Sequence, residues 1–334
     1  MSIELHVLGG AGRDNALLVY VHTGQAVVRL LFDCGEGCLA SLPFVEIQRI
    51  DHLFFSHLHM DHIGGFDSFF RCTYNRTRKP NVIWGPPDTA RIIQHRLCGF
   101  LWNLHEDKQA TWHVCDILPE EIACMRFELT EAFASAHAGE ARPNTGVVLG
   151  TPDLTVEALS MNHLTPSLAY IVREKPRLNI DVRRLGELGL QPGPWLQSVK
   201  TAPPTQATIA IDGKPYPLAQ LRSSLLVETP GDSIAYLTDF LLDDAAVARL
   251  VPALHGCRIV VCESAYLAAD TELAERNYHM TAPRVAALAK LAEVGQLVLI
   301  HLSERYTPDE WPVFLQEARE IFPNTHFPKV WGIT

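Results

Sequence analysis

The chain has 334 residues, enough to bury the core of one large α/β domain or of two smaller ones. Its content, 47% hydrophobic and 20% charged, is that of a globular enzyme, and no apolar run reaches membrane-spanning length. The net charge of −10 excludes a protein that coats nucleic acid through its whole surface, but not one with a local basic patch.

The N-terminal Met1-Ser2-Ile3-Glu4-Leu5 has no basic region followed by an apolar core, so no signal peptide is expected and the cytoplasm is the expected compartment. Eight cysteines without a C-x-x-C pair read as reduced, mostly buried thiols. Cys34 and Cys38 stand four apart and could be ligands, but no partner pair follows.

Ile3 to Leu8 alternates and then meets Gly9-Gly10-Ala11-Gly12, a strand followed by a turn. These glycines are not a dinucleotide fingerprint, since Asn15 stands where the third would be, and no Gly-Lys-Ser/Thr follows to make a phosphate loop. Ala16 to His22 and Ala26 to Phe32, joined at Thr23-Gly24-Gln25, read as a hairpin ending in Asp33. Leu53-Phe54-Phe55, a strand buried on both faces, then opens on His57-Leu58-His59-Met60-Asp61-His62 and Gly64-Gly65. Three imidazoles and a carboxylate within six residues suit zinc and its first-row neighbours. The glycines would let backbone pass close to whatever the histidines hold.

The same rhythm recurs downstream. Glu157 to Met161 leads to His163, Ile234 to Leu237 to Asp239, Ile259 to Val261 to Glu263, and Leu297 to Ile300 to His301. Rigid strands that end in ligand-type residues aim those side chains into one cleft. A lone histidine after a strand is usually structural, and a lone Asp239 could be a turn residue. The six-residue cluster changes that, because it needs further ligands to fill two metal shells. Helices are expected over Pro87 to His105, from the N-cap Thr281 through Ala282-Pro283 to about Gly295, and over Pro308 to Phe322. Leu225 to Asp239 reads as a second hairpin.

Residues 174–208 break the pattern with five prolines, three glycines and an excess of basic side chains. This stretch is either a solvated insertion or a projecting arm that binds substrate, and a basic excess in an acidic chain favours the arm.

Taken in order, His57, His59, Asp61, His62, His163, Asp239 and His301 resemble the ligand series of the metallo-β-lactamase superfamily. Within it the chain resembles the tRNase Z family, the endoribonucleases that trim the 3′ end of precursor tRNA. Phe32 to Gly37, Ser56 to Gly65, His163 to Tyr170, Tyr236 to Asp239 and Leu299 to Tyr306 look like that family's five motifs. Gln191-Pro192-Gly193-Pro194-Trp195 is similar to the Gly-Pro segment of its flexible arm. The family's His-Glu-Ala-Thr stands here as Cys262-Glu263-Ser264-Ala265. Cys38 replaces a threonine, Ala169 a glycine, and Met280 the serine after His279.

The resemblance implies an α/β fold, the metallo-β-lactamase αββα sandwich, built from residues 1–334 as a single domain with an inserted flexible arm at 174–208. It implies two divalent metal ions, zinc first with manganese or iron as substitutes, and a homodimer. One metal would take His57, His59 and His163, the other Asp61, His62 and His301, with Asp239 bridging. The expected reaction is cleavage of precursor tRNA by a water activated between the metals, with Asp61 accepting its proton. His279, oriented by Glu263, would protonate the leaving oxygen; alternatively it is an exposed histidine near an N-cap. Gly193, Pro194 and Lys200 would contact the RNA from the arm. The competing reading is a small-molecule metallohydrolase of the same fold, such as a phosphodiesterase, a lactonase or a β-lactamase-like enzyme.

Overall fold

The first sheet has eight strands. Its strands are β1 (Ile3–Gly9), β2 (Asn15–His22), β3 (Val27–Phe32), β4 (His52–Phe54), β5 (Asn81–Gly85), β6 (Thr111–Ile117), β7 (Glu121–Glu128) and β8 (His137–Pro143), and they lie in sequence order. β2 and β3 form the expected hairpin, while β3 to β6 run parallel. The chain continues with β9 (Val147–Gly150), β10 (Leu154–Asn162) and β11 (Pro166–Glu174). Four short strands follow: β12 (Arg177–Ile180), β13 (Thr208–Ile211), β14 (Lys214–Pro217) and β15 (Leu226–Thr229). The last are β16 (Ser233–Leu237), β17 (Ile259–Glu263), β18 (Gln296–Ile300) and β19 (Thr325–His326). β9 to β11 and β16 to β19 make a seven-stranded second sheet. The computed structural model describes residues 3–24, 26–103, 107–203 and 205–333.

Two compact units result, Met1–Arg173 with Asp232–Thr334, and Glu174–Gly231. In the first, the two sheets pack face to face through Val7, Val19, Phe32, Phe54, Tyr170, Tyr236, Val261 and Ile300. Phe32 stacks on Phe54 with ring centroids 5.0 Å apart, and Tyr170 meets Phe54 edge-on at 5.3 Å. Helices cover both outer faces. Phe66, Phe69, Phe70, Ile93 and Leu97 lie on the first sheet, and Val285, Leu288, Phe314 and Leu315 on the second. This is the αββα sandwich. Among the described residues no helix is long and apolar enough to cross a membrane.

The expected helices are present but shorter. They run Thr89–Cys98, ended by Gly99, then Ala282–Leu291 and Trp311–Ile321. His105 lies outside the described residues. Two further expectations are corrected. Leu225 to Asp239 is not a hairpin, because β15 pairs with β12 while β16 pairs with β11 and β17. Cys115 and Cys124 are not free thiols. The β6–β7 register sets them opposite each other with Cα atoms 3.9 Å apart, and a disulfide joins them.

The excursion is longer than its proline-rich start suggests. It reaches Gly231 and has its own core of Leu185, Val199, Ile209, Ile211, Leu218, Leu221 and Leu225. Its two ends meet, since a Cβ on Gly231 would lie 1.9 Å from the Glu174 carbonyl oxygen. On the other side of that junction Arg173 pairs with Ser233 in an antiparallel ladder. Replacing residues 175–231 by an Asn-Gly turn therefore converts β11 and β16 into a direct hairpin. The shortened chain should remain folded. Circular dichroism and a cooperative melt check this, and loss of the cooperative transition would show that the excursion supports the sandwich.

Candidate metal centre

The expected ligands lie beyond the C-terminal ends of strands, His59, Asp61 and His62 on the loop and short helix Met60–Ile63 that follow β4. Asp33 follows β3, Ser56 and His57 follow β4, His163 follows β10, Asp239 follows β16 and His301 follows β18. Asp33, Asp239 and His301 have φ of 58°, 49° and 54°, a left-handed turn that costs a non-glycine residue about 1–3 kcal/mol. The turn swings each side chain from the sheet into the cleft.

The imidazole loop packs against the turn after β3. Cys34 N–H donates to the His62 carbonyl and Gly65 N–H to the Cys34 carbonyl, both at 2.8 Å. A Cβ on Gly65 would lie 2.2 Å from the Gly35 carbonyl oxygen, and one on Gly35 2.5 Å from that of Asp61. The close approach that Gly65 permits is thus to Gly35 rather than to a bound ion.

Ligand atoms of His57, His59 and His163 lie within 4.8 Å of one another, and so do those of Asp61, His62, Asp239 and His301. His57 Nε2 is 3.0 Å from His59 Nδ1, His62 Nε2 is 3.2 Å from Asp61 Oδ2, and His301 Nε2 is 3.3 Å from the same oxygen. Two donors that share a tetrahedral cation at about 2 Å sit about 3.3 Å apart, so these spacings fit one. Asp239 Oδ2 lies 3.4 Å from His62 Nε2, 3.9 Å from His57 Nε2 and 4.0 Å from His163 Nε2, between the two groups. His62 Nε2 is buried without a hydrogen bond, as a nitrogen that faces a cation would be. The donor set is that of a divalent-metal centre.

Outer contacts fix the rings. His163 Nδ1–H donates to the Tyr278 carbonyl at 2.9 Å, which leaves Nε2 free to ligate. Asp33, fully buried, accepts from Ser56 N–H and Oγ–H at 2.7 Å each and from the Tyr236 hydroxyl at 2.9 Å. It also faces His62 Nδ1 at 2.8 Å. The sequence marks Asp33 as a strand end and as part of the Phe32 to Gly37 motif, with no role assigned to it. Its part in the site shows only when Ser56, His62 and Tyr236 come together.

The field is negative. Burial opposes charge on His62, but the Asp239 and Asp33 carboxylates outweigh it and hold that ring well above its usual range. Burial also raises Asp61, but the neighbouring His301 and His62 outweigh it and hold the carboxyl well below. Burial, with the neighbouring His62, pushes His57 down to about 2, so it stays neutral as a ligand must.

Glu263 and His279 meet as the sequence suggests, with Glu263 Oε1 2.6 Å from His279 Nδ1. The His279 ring stacks over His301 with centroids 6.0 Å apart and meets His163 edge-on at 5.0 Å. Burial disfavours its cation, but Glu263, then Asp239 and Asp61, push it up to about 9. Glu263 does more than orient His279. Its Oε2 accepts the Asp239 N–H at 2.5 Å, and so holds the backbone of the residue between the two donor groups.

The other expected residues lie elsewhere. Gly193 and Pro194 lead into the helix Trp195–Thr201, whose last turn carries the exposed Lys200. Cys34 and Cys38 are buried free thiols outside the donor groups. A cleft of about 420 Å³ opens beside Asp61, His279 and His301, lined also by Arg13, Asp14, Tyr266 and Ser303.

Residues 13–164 match the family model described as Anti-Pycsar protein Apyc1. Two solved structures share the fold over nearly the whole chain. The metallo-beta-lactamase fold protein YhfI from Bacillus subtilis has a TM-score of 0.57 at 16% identity, covering 97% of this chain and 95% of its own. The short form of human tRNase Z has a TM-score of 0.51 at 17% identity, covering 90% and 93%. Ribonuclease Z of Deinococcus radiodurans is 46% identical over 97% of each chain, which no shared fold alone would produce. The chain belongs to the ribonuclease Z family of metal-dependent hydrolases, on the metallo-β-lactamase fold.

Proposed function

We propose that this protein is an endoribonuclease that processes the 3′ end of precursor tRNA. His279, held by Glu263 at 2.6 Å above the donor groups, carries the reading at the site. Cleaving an RNA phosphodiester expels a strongly basic ribose 3′-oxygen, and a positioned acid assists that departure. Burial opposes the proton on this ring and the surrounding carboxylates retain it, so His279 is an acid at neutral pH. The competing small-molecule reading is less well supported.

His57, His59 and His163 would hold one divalent ion and Asp61, His62 and His301 the other, with Asp239 between them. Zinc suits these ligands best, with manganese or iron as substitutes. Such ions supply an activated water and neutralise phosphate charge. Asp61, hydrogen-bonded to His301, would take a proton from the attacking water. Over 174–231 Lys and Arg outnumber Asp and Glu, against a net charge of −10 for the chain. This excursion, with Gly193, Pro194 and Lys200, would grip the tRNA body by phosphate contacts and shape. A homodimer working in the cytoplasm completes the reading.

Purified protein should contain about two divalent ions per chain, as counted by elemental analysis. Asp33→Asn removes the carboxylate that faces His62 Nδ1 and should weaken metal retention about 10–100-fold in a chelator titration. Unchanged retention would remove Asp33 from the centre.

Incubation with a precursor tRNA should give cleavage on the 3′ side of the discriminator region. His279→Ala should lower RNA turnover about 10²–10⁴-fold and leave an aryl phosphodiester, whose phenolate leaves unaided, much less affected. The variant with residues 175–231 replaced by a turn should hydrolyse the aryl ester and lose precursor-tRNA cleavage. An intact enzyme that splits the aryl ester and ignores precursor tRNA would overturn the reading.

A further inference from the structure

Two positions at which the chain departs from its family's motifs, Cys262 and Met280, meet in space. Cys262 Sγ lies 3.9 Å from Met280 Sδ, and both residues are fully buried. Cys262 is the residue before Glu263 on β17, and Met280 is the residue after His279. Met280 is fixed at both ends. Its N–H donates to Glu263 Oε1 at 3.1 Å, the oxygen that also faces His279 Nδ1, and its carbonyl accepts from Tyr266 N–H at 3.1 Å. Its side chain drops into the helix-covered core with Cys262, Val285 and Leu299.

We propose that the Cys262–Met280 contact is a positioning device. It sets the height of the His279 segment relative to the strand that carries Glu263, and so the placement of the acid over the metal centre. A histidine and a serine at these two places could satisfy each other by hydrogen bonding. Here the Cys262 thiol donates only a weak hydrogen bond to the Met280 thioether, and the two segments are held mainly by packing. The pair is therefore exchangeable only as a pair. One polar member alone would face a sulfur that is only a weak hydrogen-bond partner. The inference rests on the acid role of His279, and the experiment separates the two.

Four readouts are taken on the holoenzyme: turnover of precursor tRNA, turnover of an aryl phosphodiester, metal content and melting temperature. Met280→Ala should lower RNA turnover about tenfold, a fraction of what the acid supplies, with metal content unchanged and the aryl ester much less affected. Met280→Leu, which refills the space, should restore RNA turnover. In a His279→Ala background Met280→Ala should cost nothing further, because a residue that acts through His279 has nothing left to place. Met280→Ser and Cys262→His should each impair the enzyme more than the two together. If Met280→Ala does not fold, Met280→Val and Cys262→Ala provide milder truncations for the same comparison. Equal losses on both substrates, or the same loss with and without His279, would mean that Met280 merely fills the core. If His279→Ala itself shows no substrate bias, the acid reading fails first. If it shows the bias and the Met280 variants do not, only the positioning device is lost.

Discussion

A buried carboxylate with four polar neighbours holds the two sheets in register around the metal centre. Asp33 accepts from Ser56 at the end of β4 and from Tyr236 on β16, and it faces His62 on the imidazole loop. Those partners belong to different sheets and to the loop between them. A carboxyl group with no exposure is tolerable only when its oxygens are satisfied. The strand ends must therefore keep their places, and the ligands they carry keep theirs. The hydrophobic layer of Phe32, Phe54, Tyr170 and Tyr236 beneath provides the burial, and Asp33 makes that burial specific to one arrangement.

Glu263 plays a comparable part on the second sheet. One oxygen faces His279 and receives Met280 N–H, and the other receives Asp239 N–H. His279 and Asp239 thus hang from one side chain. A change at Glu263 reaches both, so loss of activity there would not by itself report on the acid. Beside it Cys262 and Met280 touch each other, and their contact leaves the Glu263–His279 pair intact.

The donor groups were legible because His57 to His62 are contiguous and because each remaining ligand closes a run of buried residues. Asp33 was not, since its partners lie 23 and 203 residues away and no local pattern links them. Glu263 was legible as a partner of His279, but its bond to a backbone N–H has no signature in sequence. The disulfide was missed for a related reason. Nine residues separate Cys115 from Cys124, and only the register of β6 and β7 makes them opposite. The reach of the excursion was underestimated because its second half, from Thr208 to Gly231, alternates and carries leucines like an ordinary part of the main fold.

The meeting of Glu174 with Gly231 also bears on how the chain finds its fold. β11 and β16 are neighbours in the central region of the second sheet, yet the whole excursion lies between them in sequence. Closing so long a loop in a disordered chain carries an entropic cost that grows with the logarithm of its length. An excursion that gathers around its own leucines and isoleucines first brings its two ends together. The search that remains is then that of a short hairpin, not of a long crossover. Such a hierarchy lowers the effective contact order of the sheet. It also lets the excursion vary in length and sequence without slowing the assembly of the strands on which the metal ligands sit.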